Sequence, residues 1–378
     1  MRAIPMILLA AILSLSVRAQ DSTATIAAFA KDVTRATASP QAAADSNGAL
    51  VSSALRGGDL TSPSALAQQS RSPSQQKPKP SKPKPSSDLD RPPIDGSMVG
   101  YIDNAVVGSQ IRVRFDAGFD DNRPDRAEFF YAQCGCDGPP ARGPNPGLVL
   151  HLNFQQLYMR AEYAPVKRFS LVAEVPVRWV QPQQFVPQTI PSTGGFGNQA
   201  GLSDVQAGFK FAPLASHEHY LTFQFLADFP SGDSSKGLGT NHYSVQPSLL
   251  FFQKVTDRMS FEAQLGDWHP IEGASPGFAG DVFTYGLGPS YELYRGELVR
   301  FAPVIELVGW RVLGGLQTNG DFFPNPVVSA DGTNIVNLKV GARTSIGGHN
   351  SFYLGYGQAL SHEVWYKHVV RLEYRYTF

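Results

Sequence analysis

The stretch RLEYRYTF, Arg371–Phe378, alternates so strictly that it reads as one strand with two unlike faces. Counting back in steps of two, Phe378, Tyr376, Tyr374, Leu372, Val370 and His368 share one side. Thr377, Arg375, Glu373, Arg371, Val369 and Lys367 share the other. Successive side chains of a strand point to opposite faces, so one face here is apolar and aromatic and the other is charged. A strand of a soluble sandwich can look the same. The distinction rests on whether the pattern recurs, and on what separates the recurrences.

Toward the N-terminus it recurs from Gly108 onward. IRVRFDAGF (111–119) sets Ile111, Val113, Phe115 and Phe119 against Arg112, Arg114 and Asp116. FSLVAEVPVRW (169–179) opposes Leu171, Val175 and Val177 to Glu174 and Arg178. GLSDVQAGFKF (201–211) and YLTFQFLADF (220–229) place Asp204, Lys210 and Asp228 opposite their phenylalanines. MSFEAQL and IVNLKVGARTSI put Glu262, Lys339 and Arg343 on the polar side.

The connections sort by length. Short ones fall at PVKR, ASHEH, VTDR, RGEL and GGHN. Between them lie longer ones over 120–147, 181–200, 230–242, 269–280 and 312–333, with a smaller one at 358–364. Short and long alternate, which predicts about twelve strands. Transmembrane barrels have an even strand count, short turns at one rim and longer loops at the other, whereas a sandwich has no reason to alternate. Aromatic residues give a second signal. Trp179, Phe229, Tyr243, Trp268, Phe283, Trp310 and Trp365 are expected at the outer girdle, and Tyr220, Phe252, Tyr291, Tyr294, Phe301, Phe352 and Tyr376 at the periplasmic one. The predicted fold class is all-β, an antiparallel up-and-down transmembrane β-barrel over 101–378. A terminal Phe378 fits an outer-membrane assembly signal, which makes barrel-assembly machinery and outer-membrane lipid the expected partners.

The totals agree. The chain has 378 residues, with Lys+Arg 32 against Asp+Glu 32, so no nucleic-acid partner is expected. A mean hydropathy of -0.18 excludes a bundle of transmembrane helices. The one long apolar run, IPMILLAAILSLSV, follows Arg2 and leads into Val17-Arg18-Ala19, which reads as a secretory signal peptide over 1–19. Residues 20–100 are low in complexity and contain SPSQQKPKPSKPKPSS, where alternating Lys-Pro favours an extended polyproline II rod. This segment is expected to be a disordered periplasmic spacer. The alternative is a tether whose lysines touch the cell wall; too few apolar residues are present for a plug domain with its own core. Cys134 and Cys136 form CGC, and an exported protein favours a local disulfide over a redox or metal site.

GLSDVQAGFKFAPL followed by LADFPSGDSSKGLGTNHYSVQPSLLFF resembles the outer-membrane barrel family of meta-pathway phenol-degradation transporters. The shared parts are Asp204 leading into Gly208-Phe209-Lys210, and the loop from Pro230 to Gly239. NRPDRAEFFYAQCGC is similar to a feature of related barrels. The resemblance spans about 108–378 and implies passage of small apolar or aromatic compounds.

If the polar faces line a lumen, its candidates are Arg112, Arg114, Asp116, Arg160, Glu162, Glu174, Arg178, Asp204, Lys210, Asp228, Glu262, Glu306, Lys339, Arg343, Arg371, Glu373 and Arg375, joined by Lys367. Such groups either hold the barrel together as ion pairs or screen solutes. A channel or transporter for small solutes is the expected function, with a structural or adhesive barrel as the alternative. No enzyme activity and no cofactor are expected. The enzymatic rival is a lipid hydrolase using Ser234 or Ser235 with His242 and Asp233, or His269 with Asp267. His217 and His219 offer too few ligands for a metal.

Overall fold

The computed structural model describes residues 96–123, 149–185, 197–271, 279–318 and 327–378. The expected signal peptide, the Pro/Lys-rich stretch and the Cys134/Cys136 pair lie outside these residues. The alternating segments form β1 (Gln110–Asp121), β2 (Val149–Val166), β3 (Phe169–Phe185) and β4 (Val205–Ala215). Then come β5 (His219–Phe229), β6 (Tyr243–Lys254), β7 (Met259–Ile271) and β8 (Val282–Tyr291). The last four are β9 (Val299–Val312), β10 (Asn334–Ile346), β11 (Asn350–Ala359) and β12 (His368–Thr377).

Each strand pairs antiparallel with the next, and β12 returns to pair with β1. The register at the closure sets Phe115 opposite Leu372 and Asp116 opposite Arg371, so like face meets like face. Twelve strands among the described residues thus form a closed barrel. Closure leaves no strand edge unpaired along the wall. A short ladder, Gln199–Leu202, extends β3 beyond β4, and Leu316–Thr318 pairs with Val327–Ser329 in the connection between β9 and β10.

Short turns lie at the end where β1 begins and β12 stops; the longer connections lie at the opposite, far end. In the β10–β11 turn Gly347 and Gly348 have φ of 62° and 72°, a region closed to most side chains, which is why that turn reads Gly-Gly.

The wall inverts the usual order of a soluble protein. Leu354 is 59% exposed on the outer face, while Arg343 is 0% exposed on the inner one. Leu171, Leu249, Leu265 and Ile305 likewise point outward. The aromatic expectation holds in part. Phe229, Tyr243 and Phe283 at the far end, and Tyr291, Tyr294 and Tyr376 at the other, are exposed. Trp365, Tyr220 and Phe252 are instead buried inside, and Trp268 and Trp310 pack against the interior cluster. Ring chemistry alone cannot distinguish a lipid-facing girdle from a lining of the barrel interior. Lys367 also departs from its expected place: it is exposed at the far rim, 4.0 Å from Asp120.

Candidate functional site: an occupied lumen

Residues 96–109, immediately before β1, run inside the barrel. They straddle the expected linker–barrel boundary at 100/101. Side chains of the wall bond many of their backbone polar groups. Arg375 donates to the Ser97 carbonyl, and Arg343 donates to those of Met98 at 3.1 Å and Val99 at 2.7 Å. The segment then turns at mid-lumen, where Glu306 accepts the N–H groups of Gly100, Tyr101 and Ile102 at 3.1, 2.9 and 2.9 Å. On the way back Lys210 donates to the Asn104 carbonyl at 3.0 Å and Thr222 to that of Ala105. Gly108 N–H reaches Glu162, and β1 begins.

Apolar packing completes the fit. Met98, Val99 and Ile102 meet Ala302, Val304, Val308 and Tyr353. Ala105, Val106 and Val107 meet Ala212, Tyr220, Leu250 and Phe252. Two glycines make room: a Cβ on Gly286 of β8 would lie 2.4 Å from Ile102 Cγ2, and one on Gly100 would strike the Tyr353 ring at 2.2 Å. Tyr101 is held between cations, with Arg371 4.1 Å and Lys339 Nζ 4.0 Å from its ring centroid.

Glu306 is therefore the main clasp on this segment. A glutamine there keeps one acceptor oxygen and sets an amide N–H against a backbone donor. Glu306→Gln is expected to weaken docking by about 2 kcal/mol, the scale of one hydrogen bond to a charged group. Faster protease cleavage near residue 100 in the folded variant would show it; an unchanged rate would refute it.

Most of the residues named from the sequence point to the inner face, where many of them form ion pairs. Arg371 donates to both Asp116 oxygens at 2.7 Å. Glu373 takes Arg343 at 2.8 Å and Arg375 at 3.1 Å, and Lys210 pairs with Glu162 at 3.0 Å. Glu174 lies 3.7 Å from Arg112, 3.6 Å from Arg114 and 3.7 Å from Arg160. Arg112 and Arg160 also reach Asp103 of the inserted segment, at 3.8 and 3.6 Å. Glu262 accepts from Ser97 Oγ, and Lys339 Nζ donates to Tyr366 Oη at 2.7 Å. Such pairing is what makes buried charge tolerable.

Arg178, Asp204 and Asp228 sit nearer the far end. Arg178 Nε donates to Gln156 at 2.9 Å. Asp228 accepts from Gln206, Ser244 and Gln246, and Asp204 from the Gly232 and Thr240 N–H groups and Thr240 Oγ1. Here the barrel keeps a cavity of about 280 Å³, floored by Tyr101, Ile102 and Asp103. One wall carries Trp268, Trp310 and Trp365, with Trp310 and Trp365 centroids 5.0 Å apart. Buried polar atoms in its lining make no hydrogen bond: Tyr101 Oη, Arg114 Nε and Glu174 Oε2.

Of the two enzymatic candidate sets, His242 and Asp233 take other partners, whereas His269 and Asp267 come together. His242 Nδ1 faces the Thr240 carbonyl at 3.1 Å, and burial holds its imidazole below the ordinary value. Asp233 instead pairs with Lys236. At the far rim His269 Nδ1 is 2.6 Å from Asp281, and with Asp267 these donor atoms lie within 4.8 Å of one another. At the opposite end Glu292 binds Arg295 and Arg300. Burial alone would raise its carboxyl, but these hydrogen bonds outweigh burial and hold it below the ordinary carboxylate value.

Sequence reasoning missed the inserted segment. One signal was present: the inner face of β8 reads Val282, Thr284, Gly286, Gly288 and Ser290, small where other strands carry Arg, Lys or Glu. That face leaves space which something else in the chain has to fill.

No protein-family model and no curated protein matches the chain. Among solved structures it is similar to the COG4313 outer membrane channel from Pseudomonas putida F1, at 13% identity and a TM-score of 0.44, over 78% of this chain and 99% of that one. The beta domain of the Bordetella autotransporter BrkA is similar at 13% identity and 0.42, over 72% and 100%. LpxR from Salmonella typhimurium is similar at 10% identity and 0.39, over 71% and 100%.

Proposed function

We propose that this protein is an outer-membrane channel for small solutes, held closed by residues 96–109. The observation that supports it most is the inverted wall, apolar outside and charged inside, around a lumen that, among the described residues, is filled by 96–109. An exposed apolar belt this extensive belongs in lipid, where only closed barrels and helices satisfy every backbone group. With short turns at the end where β1 begins and β12 stops, that end faces the periplasm and the cavity faces outward. The segment preceding Gly96 then lies in the periplasm, within reach of the cell wall. Transport is passive diffusion through a polar lumen once the segment withdraws. The sequence resemblance implies apolar or aromatic solutes, and Trp268 and Trp310 stand in the wall of the cavity. A non-conducting structural barrel is the second reading, and the filled lumen is the observation that favours it.

Planar-bilayer recording separates them. The intact chain is expected to be silent or to flicker, and a form with 97–107 replaced by a flexible linker to conduct in stable steps. A folded, replaced form that stays silent would leave the structural barrel.

A further inference from the structure

We propose that the cavity at the far mouth binds a neutral, hydroxyl-rich solute of about monosaccharide size. The proposal rests on the channel reading and names its solute class. Four observations carry it.

The first is a set of half-used carboxamides. Gln206 and Gln246 each spend an amide N–H on Asp228, Gln264 spends its oxygen on the Asp103 N–H, and Gln156 spends its oxygen on Arg178. All four line the cavity, and among the described residues their opposite ends make no hydrogen bond. A carboxamide presents donor and acceptor at opposite ends of one plane. The unused set is therefore two carbonyl oxygens and two NH₂ groups, which suits hydroxyls because each hydroxyl both donates and accepts. Gln224, whose two ends are both engaged by Arg160 and Asp103, is not part of this lining.

The second is that the Glu174 carboxylate in the same lining is already matched by cations: Glu174 lies 3.7 Å from Arg112, 3.6 Å from Arg114 and 3.7 Å from Arg160, so it offers an ionic solute no free charge.

The third is the tryptophan wall. The hydrogens on one face of a pyranose ring carry partial positive charge and meet the negative face of an indole. Trp268 and Trp365 meet edge to face at 6.4 Å, and Trp310 tilts against Trp365. A ring-shaped solute thus has an apolar wall on one side and amides on the other.

The fourth is charge. The lining holds four arginines and four carboxylates, so an ionic solute would surrender hydration without gaining a net counter-charge. An apolar aromatic would stack but leave the free ends of the carboxamides unpaired, a cost a polyhydroxylated solute avoids. At about 280 Å³ the space is at the lower end of ligand pockets, which run from about 300 Å³ upward, and holds one sugar ring.

Saturation-transfer difference NMR on the folded protein in detergent micelles tests this, with D-glucose, D-galactose, D-glucuronate and benzoate as probes. The neutral sugars are expected to give signals, with glucuronate and benzoate at least tenfold weaker. Gln246→Met and Trp310→Leu are each expected to reduce the sugar signals at least fivefold, in protein whose heat-modifiable gel shift shows an intact barrel. Benzoate binding more strongly than both sugars would overturn the proposal, as would sugar signals unchanged in both variants. Binding is read without a membrane, so it is separable from transport. Sugar binding by a protein that never conducts would remove the channel reading alone, and conduction without sugar binding would remove this one.

Discussion

Arg371→Leu is expected to lower barrel stability by about 3–5 kcal/mol, the penalty for removing one partner of a buried ion pair. Arg371 is the bidentate partner of Asp116, donates to the Gly100 carbonyl at 2.6 Å and lies over the Tyr101 ring. Leucine matches none of these. It strands a carboxylate that is 4% exposed, with Arg114 left at 3.7 Å, and it loosens the inserted segment from the same side. The urea midpoint of unfolding in lipid vesicles should fall, and restoring charge balance with Asp116→Leu should recover part of the loss. A midpoint equal to that of the native chain would show that the lumenal network contributes little to stability.

The neighbouring residue should fail for the opposite reason. Leu372→Arg places a guanidinium on the outer face at the middle of β12, next to Phe115 and Leu354 across its two ladders. Charge at the bilayer midplane costs about 2–4 kcal/mol on the lipid face of such barrels and about 0–1 near the interfaces. The expected result is a strong drop in the heat-modifiable, folded band after refolding into vesicles. Leu298→Arg supplies the depth control, since Leu298 is 72% exposed in the short connection before β9. Equal loss in both variants would argue that surface charge in general, rather than depth in lipid, impairs assembly. Equal tolerance of both would argue that the apolar belt does not face lipid at all.

This pair of adjacent residues also shows how much of the molecule was legible in advance. The closing strand was readable because period-two alternation needs no tertiary information: Arg371 and Leu372 must point to opposite faces in any sheet. Repeated through the chain, the same rule placed Glu174, Lys210, Glu306 and Arg343 on one common face. The alternation of loop lengths then indicated the strand number, because turns at one rim are constrained to be short. Periodicity does not tell which of two faces is more enclosed for an aromatic residue. Tyr220 and Phe252 went inward at one end, and Trp365, which lies in a connection with no period to read, is buried at the other.

The inserted segment was beyond such reading for a different reason. Residues 96–109 have no repeat, and their partners lie far away in sequence: Glu306 for Gly100 to Ile102, Arg343 for Met98 and Val99, Thr222 for Ala105. Their burial comes from filling a space that exists only once the barrel has closed. The four half-used carboxamides likewise converge from β2, β4, β6 and β7, and nothing local relates one to another. By itself the sequence determined the strands, their number and which face carries charge, because these follow from local alternation and turn chemistry. Only the tertiary structure decided that the lumen is filled from within the chain, and that a cavity of mixed aromatic and amide character remains at one mouth. Both depend on where closure brings distant strands together.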